Sequence, residues 1–176
     1  TAIEYDPNRN ALLALVEYDG EKAYVIAPHT LKVDDEIVCD EKVEVKTGNR
    51  MKLKNIPAGE VVHNIELEPG RGGKLARSAG TGATVQAHEG KYTQLSFPSS
   101  EVRKILSECY ATIGNVSRPD FKYERVRNAG RARLKGKRPS VRGVVMNPVD
   151  HPHGGGEGRS GIGMKYPKTP WGKHAL

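Results

Sequence analysis

The sequence predicts a mainly β protein: two small barrels, residues 1–70 and 71–142, followed by an irregular Gly/Pro-rich extension over 143–176. Three observations carry this expectation. Short apolar runs recur up to about residue 113, separated by pairs or triplets of Gly, Pro, Asn, Asp and Ser, the cadence of strands joined by tight turns. The stretch Glu68-Pro69-Gly70-Arg71-Gly72-Gly73 has no large apolar side chain and marks a boundary. From Met146 to Leu176, seven Gly and four Pro among 31 residues leave no place for a regular helix or a central strand.

Thr1–Tyr5 alternates as a short strand and runs into Asp6-Pro7-Asn8, where the fixed φ of proline and the Asx side chains favour a turn. Arg9 closes that turn. Ala11–Tyr18 and Lys22–Ala27 flank Asp19-Gly20, a strong hairpin signal because both turn residues tolerate positive φ. Further strands are expected at Glu36–Cys39, Val43–Lys46 and Val61–Leu67, with Thr47-Gly48-Asn49 and Pro57-Ala58-Gly59 as breaks. Five or so strands in seventy residues fit one small barrel.

Past the boundary, Lys74, Arg77 and the loop Ser78–Gly82 set cations beside small residues, which lets a phosphate backbone come close. Ala83–Ala87, Tyr92–Phe97, Glu101–Leu106 and Tyr110–Ile113 then alternate as strands of a second barrel, although Val102, Ile105 and Leu106 also fit one face of a short helix. Tyr92, Phe97 and Tyr110 are expected at core or rim. With aromatics only 6% of the chain, base stacking is not expected to dominate. Lys122–Arg142 then holds nine Lys and Arg against the single acid Glu124. In an extended segment the alternating Arg131, Arg133, Lys135 and Lys137 would share one face, and with Arg138 and Arg142 they would track a phosphate backbone.

Charge divides the chain unevenly. Residues 1–70 carry 8 Lys and Arg against 14 acids, a net of −6, whereas residues 71–176 carry 20 against 7, a net of +13. The second half is suited to an anionic partner, for which nucleic acid is the usual candidate. No apolar run is long enough to span a membrane as a helix, and no signal peptide is apparent, so an intracellular protein is expected. Cys39 and Cys109 lack CxxC spacing and are expected as free thiols.

The run Met146–Arg159, MNPVDHPHGGGEGR, concentrates the remaining chemistry. A carboxylate beside imidazoles, Asp150 with His151 and His153, could orient a base or ligate a metal. A structural metal site needs about four ligands, and no cysteine lies near, so no metal is expected. The glycines lack the GK[ST] ending of a nucleotide-binding loop. Backbone amides of Gly154, Gly155 and Gly156 cradling a nucleic-acid phosphate fit better, and no cofactor or small-molecule substrate is called for.

That run, with TPWGK at Thr169–Lys173, EYDPNR at Glu4–Arg9, IAP at Ile26–Pro28, VHNIELEPGRGG at Val62–Gly73 and KRPSVRGVVMNP at Lys137–Pro148, resembles the second protein of the large ribosomal subunit, bacterial type, over essentially the whole length. The resemblance implies an oligonucleotide-binding-type barrel, then a Src-homology-3-like barrel, then an extension threaded into RNA. It implies a structural constituent of cytoplasmic or organellar ribosomes that binds large-subunit ribosomal RNA and neighbouring ribosomal proteins. Such a protein supports assembly, subunit association at the small subunit, transfer-RNA binding and the peptidyl-transferase centre. Arg9 and Arg77 match family arginines that contact ribosomal RNA. Lys74, the six cations Arg131, Arg133, Lys135, Lys137, Arg138 and Arg142, then His151, His153, Gly154–Gly156, Arg159 and Trp171 complete the expected RNA-binding set. No catalytic residue is expected; the alternatives are acid–base participation of His151, oriented by Asp150, in peptidyl transfer, or a non-ribosomal RNA-binding adaptor. Family members carry further residues at both ends, so a longer parent protein is expected.

Overall fold

The computed structural model describes residues 2–156 and 160–175 and is mainly β. In chain order the strands are β1 (Ala2–Tyr5), β2 (Leu12–Tyr18), β3 (Glu21–Ile26), β4 (Arg50–Lys52), β5 (Val61–His63), β6 (Ile65–Glu66), β7 (Gly73–Leu75), β8 (Ala83–Glu89), β9 (Tyr92–Ser96), β10 (Val102–Leu106) and β11 (Tyr110–Ile113). One helix, α1 (Ala129–Leu134), follows them. Two compact units result, one up to Glu124 and one from Arg125 onward. No helix among the described residues is long and apolar enough to cross a membrane.

In the first unit, β1, β2 and β3 form an antiparallel sheet in that order. The β2–β3 turn places Asp19 at φ 49° and Gly20 at φ 85°, the left-handed pair that matches strand twist in two-residue hairpins. The second sheet runs β10-β9-β8-β5-β11-β4, and β6 pairs with β7 beside it. Its terminal strands share no ladder. A 3₁₀ turn at Leu53–Asn55 bridges them instead: Leu53 N–H donates to the Cys109 carbonyl (2.9 Å) and Lys54 N–H to that of Ser107 (3.0 Å), just past β10. His88 Nε2 on β8 reaches the Ile56 carbonyl (2.9 Å), so the sheet curls round its own contents. Those contents are Met51, Leu53, Ile56, Val62, Ile65, Val85, Leu95, Ile105 and Ile113, all buried. Each such side chain contributes roughly 1.5–3 kcal/mol.

A smaller cluster of Ala11, Ile26, Val116 and Leu13 ties the first sheet to the segment after β11. Leu12 N–H donates to Ser117 Oγ (3.0 Å), and Ser117 N–H to the Ala27 carbonyl (2.9 Å). Strands β4 and β5, which precede Glu68–Gly73, and β8–β11, which follow it, therefore belong to one sheet.

Three expected elements differ. Glu36–Cys39 and Val43–Lys46 are not strands. Buried Asn49 takes their partners: its Oδ1 accepts from Val38 N–H (2.9 Å) and its Nδ2 donates to the Glu44 carbonyl (3.1 Å). A side chain here replaces a ladder, leaving Cys39 a single parallel bridge to Arg50. Val61–Leu67 is broken at Asn64, whose φ of 49° turns the chain between β5 and β6. Residues 102–106 form β10, not a helix.

In the second unit, the expected extended cationic strip is helical over Ala129–Leu134. Asn128 Oδ1 accepts from Arg131 N–H (2.9 Å), capping a run of Ala, Arg and Leu interrupted only by Gly130, and that local chemistry overrides the alternation. Residues two apart on a helix diverge by about 200°, so Arg131 and Arg133 point to different sides.

Candidate nucleic-acid interface

The first unit presents three of the expected residues. Asp6 shapes the turn that carries Arg9: its carboxylate accepts from Asn8 N–H (2.8 Å) and from Arg9 Nε (2.7 Å). The Asn8 amide first, and the Arg9 guanidinium after it, hold that carboxyl below the usual range. Arg9 is thereby aimed by one edge while its side chain stays exposed.

Lys74 on β7 and Arg77 just after it are exposed and line an open cleft of about 460 Å³ with Phe97, Ser99 and Arg103. Ala76 between them takes φ 49°, and its carbonyl accepts from Asn64 N–H (3.0 Å), so the bend is fastened to the turn between β5 and β6. Neither cation has a carboxylate partner among the described residues. Several other cations of the unit are paired, Lys52 with Glu41 and Glu108, Lys54 with Glu108, Arg103 with Glu101 and Lys104 with Glu89, while Lys22, Lys32, Lys42, Lys46, Lys91 and Lys122 have no ion pair among the described residues. The glycines of the Ser78–Gly82 loop serve packing rather than phosphate access. A Cβ on Gly80 would stand 2.6 Å from Pro119 Cα, and one on Gly82 would meet Asn115 and Val61.

Beneath this surface lies a buried polar network that sequence reasoning did not single out. Glu66 Oε1 accepts from Arg50 Nη2 (2.8 Å), while Oε2 accepts from the amides of Tyr110 (3.1 Å) and Gly70 (3.2 Å). Beside it His63 is fully buried, its Nδ1 2.7 Å from the Gly114 carbonyl, and its Nε2 has no partner among the described residues. Burial pushes the His63 pKa down to about 4; the nearby Arg50 cation adds to the shift and the carbonyls of Gly114 and Ile26 oppose it. Cys109 is also buried, and desolvation lifts its thiol to about 11, while Cys39 is exposed; both are free.

The second unit carries the larger cationic load. From Arg125 onward there are twelve Lys and Arg against two acids. Arg131, Arg133, Lys135, Lys137, Arg138 and Arg142 are all exposed. Among the described residues no carboxylate pairs with Arg131, Arg133, Lys137, Arg138 or Arg142.

The histidine loop is built around its own backbone. His151 is buried, at 7% exposure, against Gly143, where its ring fills the place of a Cβ. Its Nδ1 accepts from His153 N–H (3.0 Å), and His153 Nε2 accepts from Lys168 N–H (2.8 Å). Asp150 is exposed, and no hydrogen bond joins its carboxylate to His151 among the described residues, so the expected carboxylate–imidazole pair is not formed. The phosphate cradle is also closed at two of its three amides: Gly154 N–H donates to the His151 carbonyl (2.8 Å) and Gly155 N–H to that of Met146 (3.1 Å). Gly155 and Gly156 are needed for φ of 94° and 98°. Arg159 lies outside the described residues. No group of three or more His, Cys, Asp or Glu that could hold a metal occurs among the described residues.

Residues 46–172 match the family model described as Ribosomal Proteins L2, C-terminal domain, and residues 1–39 match Ribosomal Proteins L2, RNA binding N-terminal domain. The chain belongs to the ribosomal protein L2 family. It is thus an RNA-binding protein of the large ribosomal subunit, with ribosomal RNA and neighbouring ribosomal proteins as partners, and its family is a structural one. One feature of this L2-family chain was not anticipated. Residues 165–175 fold on themselves, with Lys168 bridged to His174 and Trp171 standing 84% exposed. The Pro170-Trp171-Gly172 sequence was its available signal, since Pro followed by Gly two residues on is turn chemistry.

Proposed function

We propose that the chain docks on folded large-subunit ribosomal RNA through two sets of cations: Arg9, Lys74 and Arg77 on the first unit, and Arg131, Arg133, Lys135, Lys137, Arg138 and Arg142 on the second. The observation that carries this reading is the partition of ion pairs. Arg50, Lys52, Lys54, Arg103 and Lys104 are neutralised within the protein, whereas Lys74, Arg77, Arg131, Arg133, Lys137, Arg138 and Arg142 have no carboxylate partner among the described residues and gain most from phosphate; Arg9 stays exposed beside its Asp6 partner. His151, His153 and Gly154–Gly156 form a shaped loop that contacts RNA by close backbone approach, and Arg159 adds a further cation to it. Docking of this kind supports subunit assembly. The stretch beyond residue 142, with its histidine loop and terminal hairpin, inserts between RNA helices, and in doing so supports subunit association, transfer-RNA binding and the peptidyl-transferase centre.

The test is binding to purified large-subunit ribosomal RNA over a salt series, with an unrelated structured RNA as competitor. Arg9→Ala, Lys74→Ala and Arg77→Ala should each weaken binding and lower the slope of log affinity against log salt by about 0.7–0.9. Unchanged slopes in all three variants, or equal displacement by the unrelated RNA, would overturn the assignment of these residues.

A further inference from the structure

The segment 165–175 has the build of a probe. Gly172 N–H donates to the Thr169 carbonyl (2.9 Å), Thr169 N–H to that of Lys173 (2.7 Å), and Ala175 N–H to that of Pro167 (2.9 Å). Gly172 takes φ 77°, so Pro170, Trp171 and Gly172 form a three-residue hairpin loop whose last position is left-handed. Lys173 N–H also bonds Thr169 Oγ1 (3.2 Å), which stiffens the neck. On the stem the Tyr166 and His174 rings lie 5.3 Å apart, with Lys165 Nζ 5.4 Å from the Tyr166 ring.

A hairpin this short has no core of its own, yet it holds the largest side chain in the chain at its tip, 84% exposed. Packing does not account for an exposed indole on a fixed turn. The surroundings indicate what would cover it: Lys165, Lys168 and Lys173 flank it, and residues 160–176 contain no acid. Cations interleaved with exposed aromatic faces are the arrangement that binds unpaired nucleotides, lysines taking the phosphates and the ring taking the base. A protein pocket for tryptophan would not call for three lysines that have no carboxylate partner among the described residues.

We propose that the Pro170-Trp171-Gly172 tip is a stacking site for an unpaired nucleobase of the RNA, with Lys168 and Lys173 on the flanking phosphates. This rests on the RNA-docking reading above and adds a contact that charge alone does not supply. It adds one stacked base to a binding mode that stacking is still not expected to dominate.

Trp171 is the only tryptophan, so the intrinsic fluorescence of the whole chain reports on this position. On titration with purified large-subunit ribosomal RNA, its emission should be quenched and shielded from acrylamide, with the same midpoint as binding measured by filter retention. Trp171→Ala should weaken binding about 5- to 100-fold, the range that loss of one stacked base produces, without changing the salt slope. Trp171→Phe should recover most of that loss. If the chain binds with its normal salt slope while Trp171 stays open to acrylamide, the stacking site is refuted and the docking reading stands. If there is no salt-dependent binding at all, both fall. Shielding that arises only when other large-subunit proteins are present assigns Trp171 to a protein partner and overturns the stacking proposal.

Discussion

Acidification should destabilise this chain through His63 well before its carboxylates titrate. The ring is completely buried, one nitrogen lies beside the Gly114 carbonyl, and the Arg50 cation is close by, so the imidazolium form is disfavoured and the pKa falls to about 4. In the unfolded chain the value returns to about 6.5. Between these values the unfolded state binds more protons than the folded one, so stability is complete above about pH 6.5 and is lost as pH falls toward 4. Integrated from pH 7.5 to pH 4.5, the loss is about 2.5 kcal/mol, a large fraction of the 5–15 kcal/mol that holds a typical domain. Urea unfolding of wild type and His63→Asn at both pH values isolates the effect, because asparagine can still donate to the Gly114 carbonyl but does not titrate. The variant is less stable at pH 7.5, having left a void, but its stability should change about 2.5 kcal/mol less over the interval. Parallel pH profiles for the two proteins would refute the argument.

Other perturbations follow from the same geometry. Glu66→Ala strands the Arg50 guanidinium and two amides, and should cost about 3 kcal/mol in urea unfolding, more than Glu66→Gln. Gly80→Ala meets a left-handed φ of 67° and the backbone of Pro119 together; a loss of about 2 kcal/mol is expected, and a loss under about 0.5 kcal/mol would show that the loop yields. His151→Ala removes the acceptor for the His153 amide, so that amide should exchange about tenfold faster with little change in global stability. Subunits assembled with His151→Gln should transfer peptide within about tenfold of wild type, whereas a loss of a hundredfold or more with normal assembly would make the imidazole an acid–base participant.

Much of the first unit was legible because its signals are local. Asp19-Gly20 fixes a hairpin by the φ values that its two residues accept, and the runs that became β8 and β9 alternate cleanly. What was not legible depends on distant partners. Nothing near Val38 says that Asn49 will take its amide, and nothing near Gly80 or Gly82 says that Pro119, Asn115 and Val61 will occupy the space a side chain would need. The cationic segment was misread for a different reason: alternation at 131, 133, 135 and 137 is also what a capped helix shows when its intervening positions are small or aliphatic. Asn128 three residues before Arg131 was the signal that decides between them. The residue types of the interface were plain from charge, whereas which cations are neutralised within the protein could be seen only in three dimensions.

Strand β11 pairs with both β4 and β5, across roughly sixty and fifty residues of chain. Synthesis runs from the N-terminus, so those two strands must wait for residues 110–113 before this sheet is complete. Up to Glu124 these residues carry 16 Lys and Arg against 19 acids, a net of −3, and all the excess of positive charge comes later, with 12 Lys and Arg against 2 acids. The scaffold can therefore close while the emerging chain is slightly anionic and has little attraction for nucleic acid. Adhesion to RNA is delivered last, onto a body that has already taken its shape.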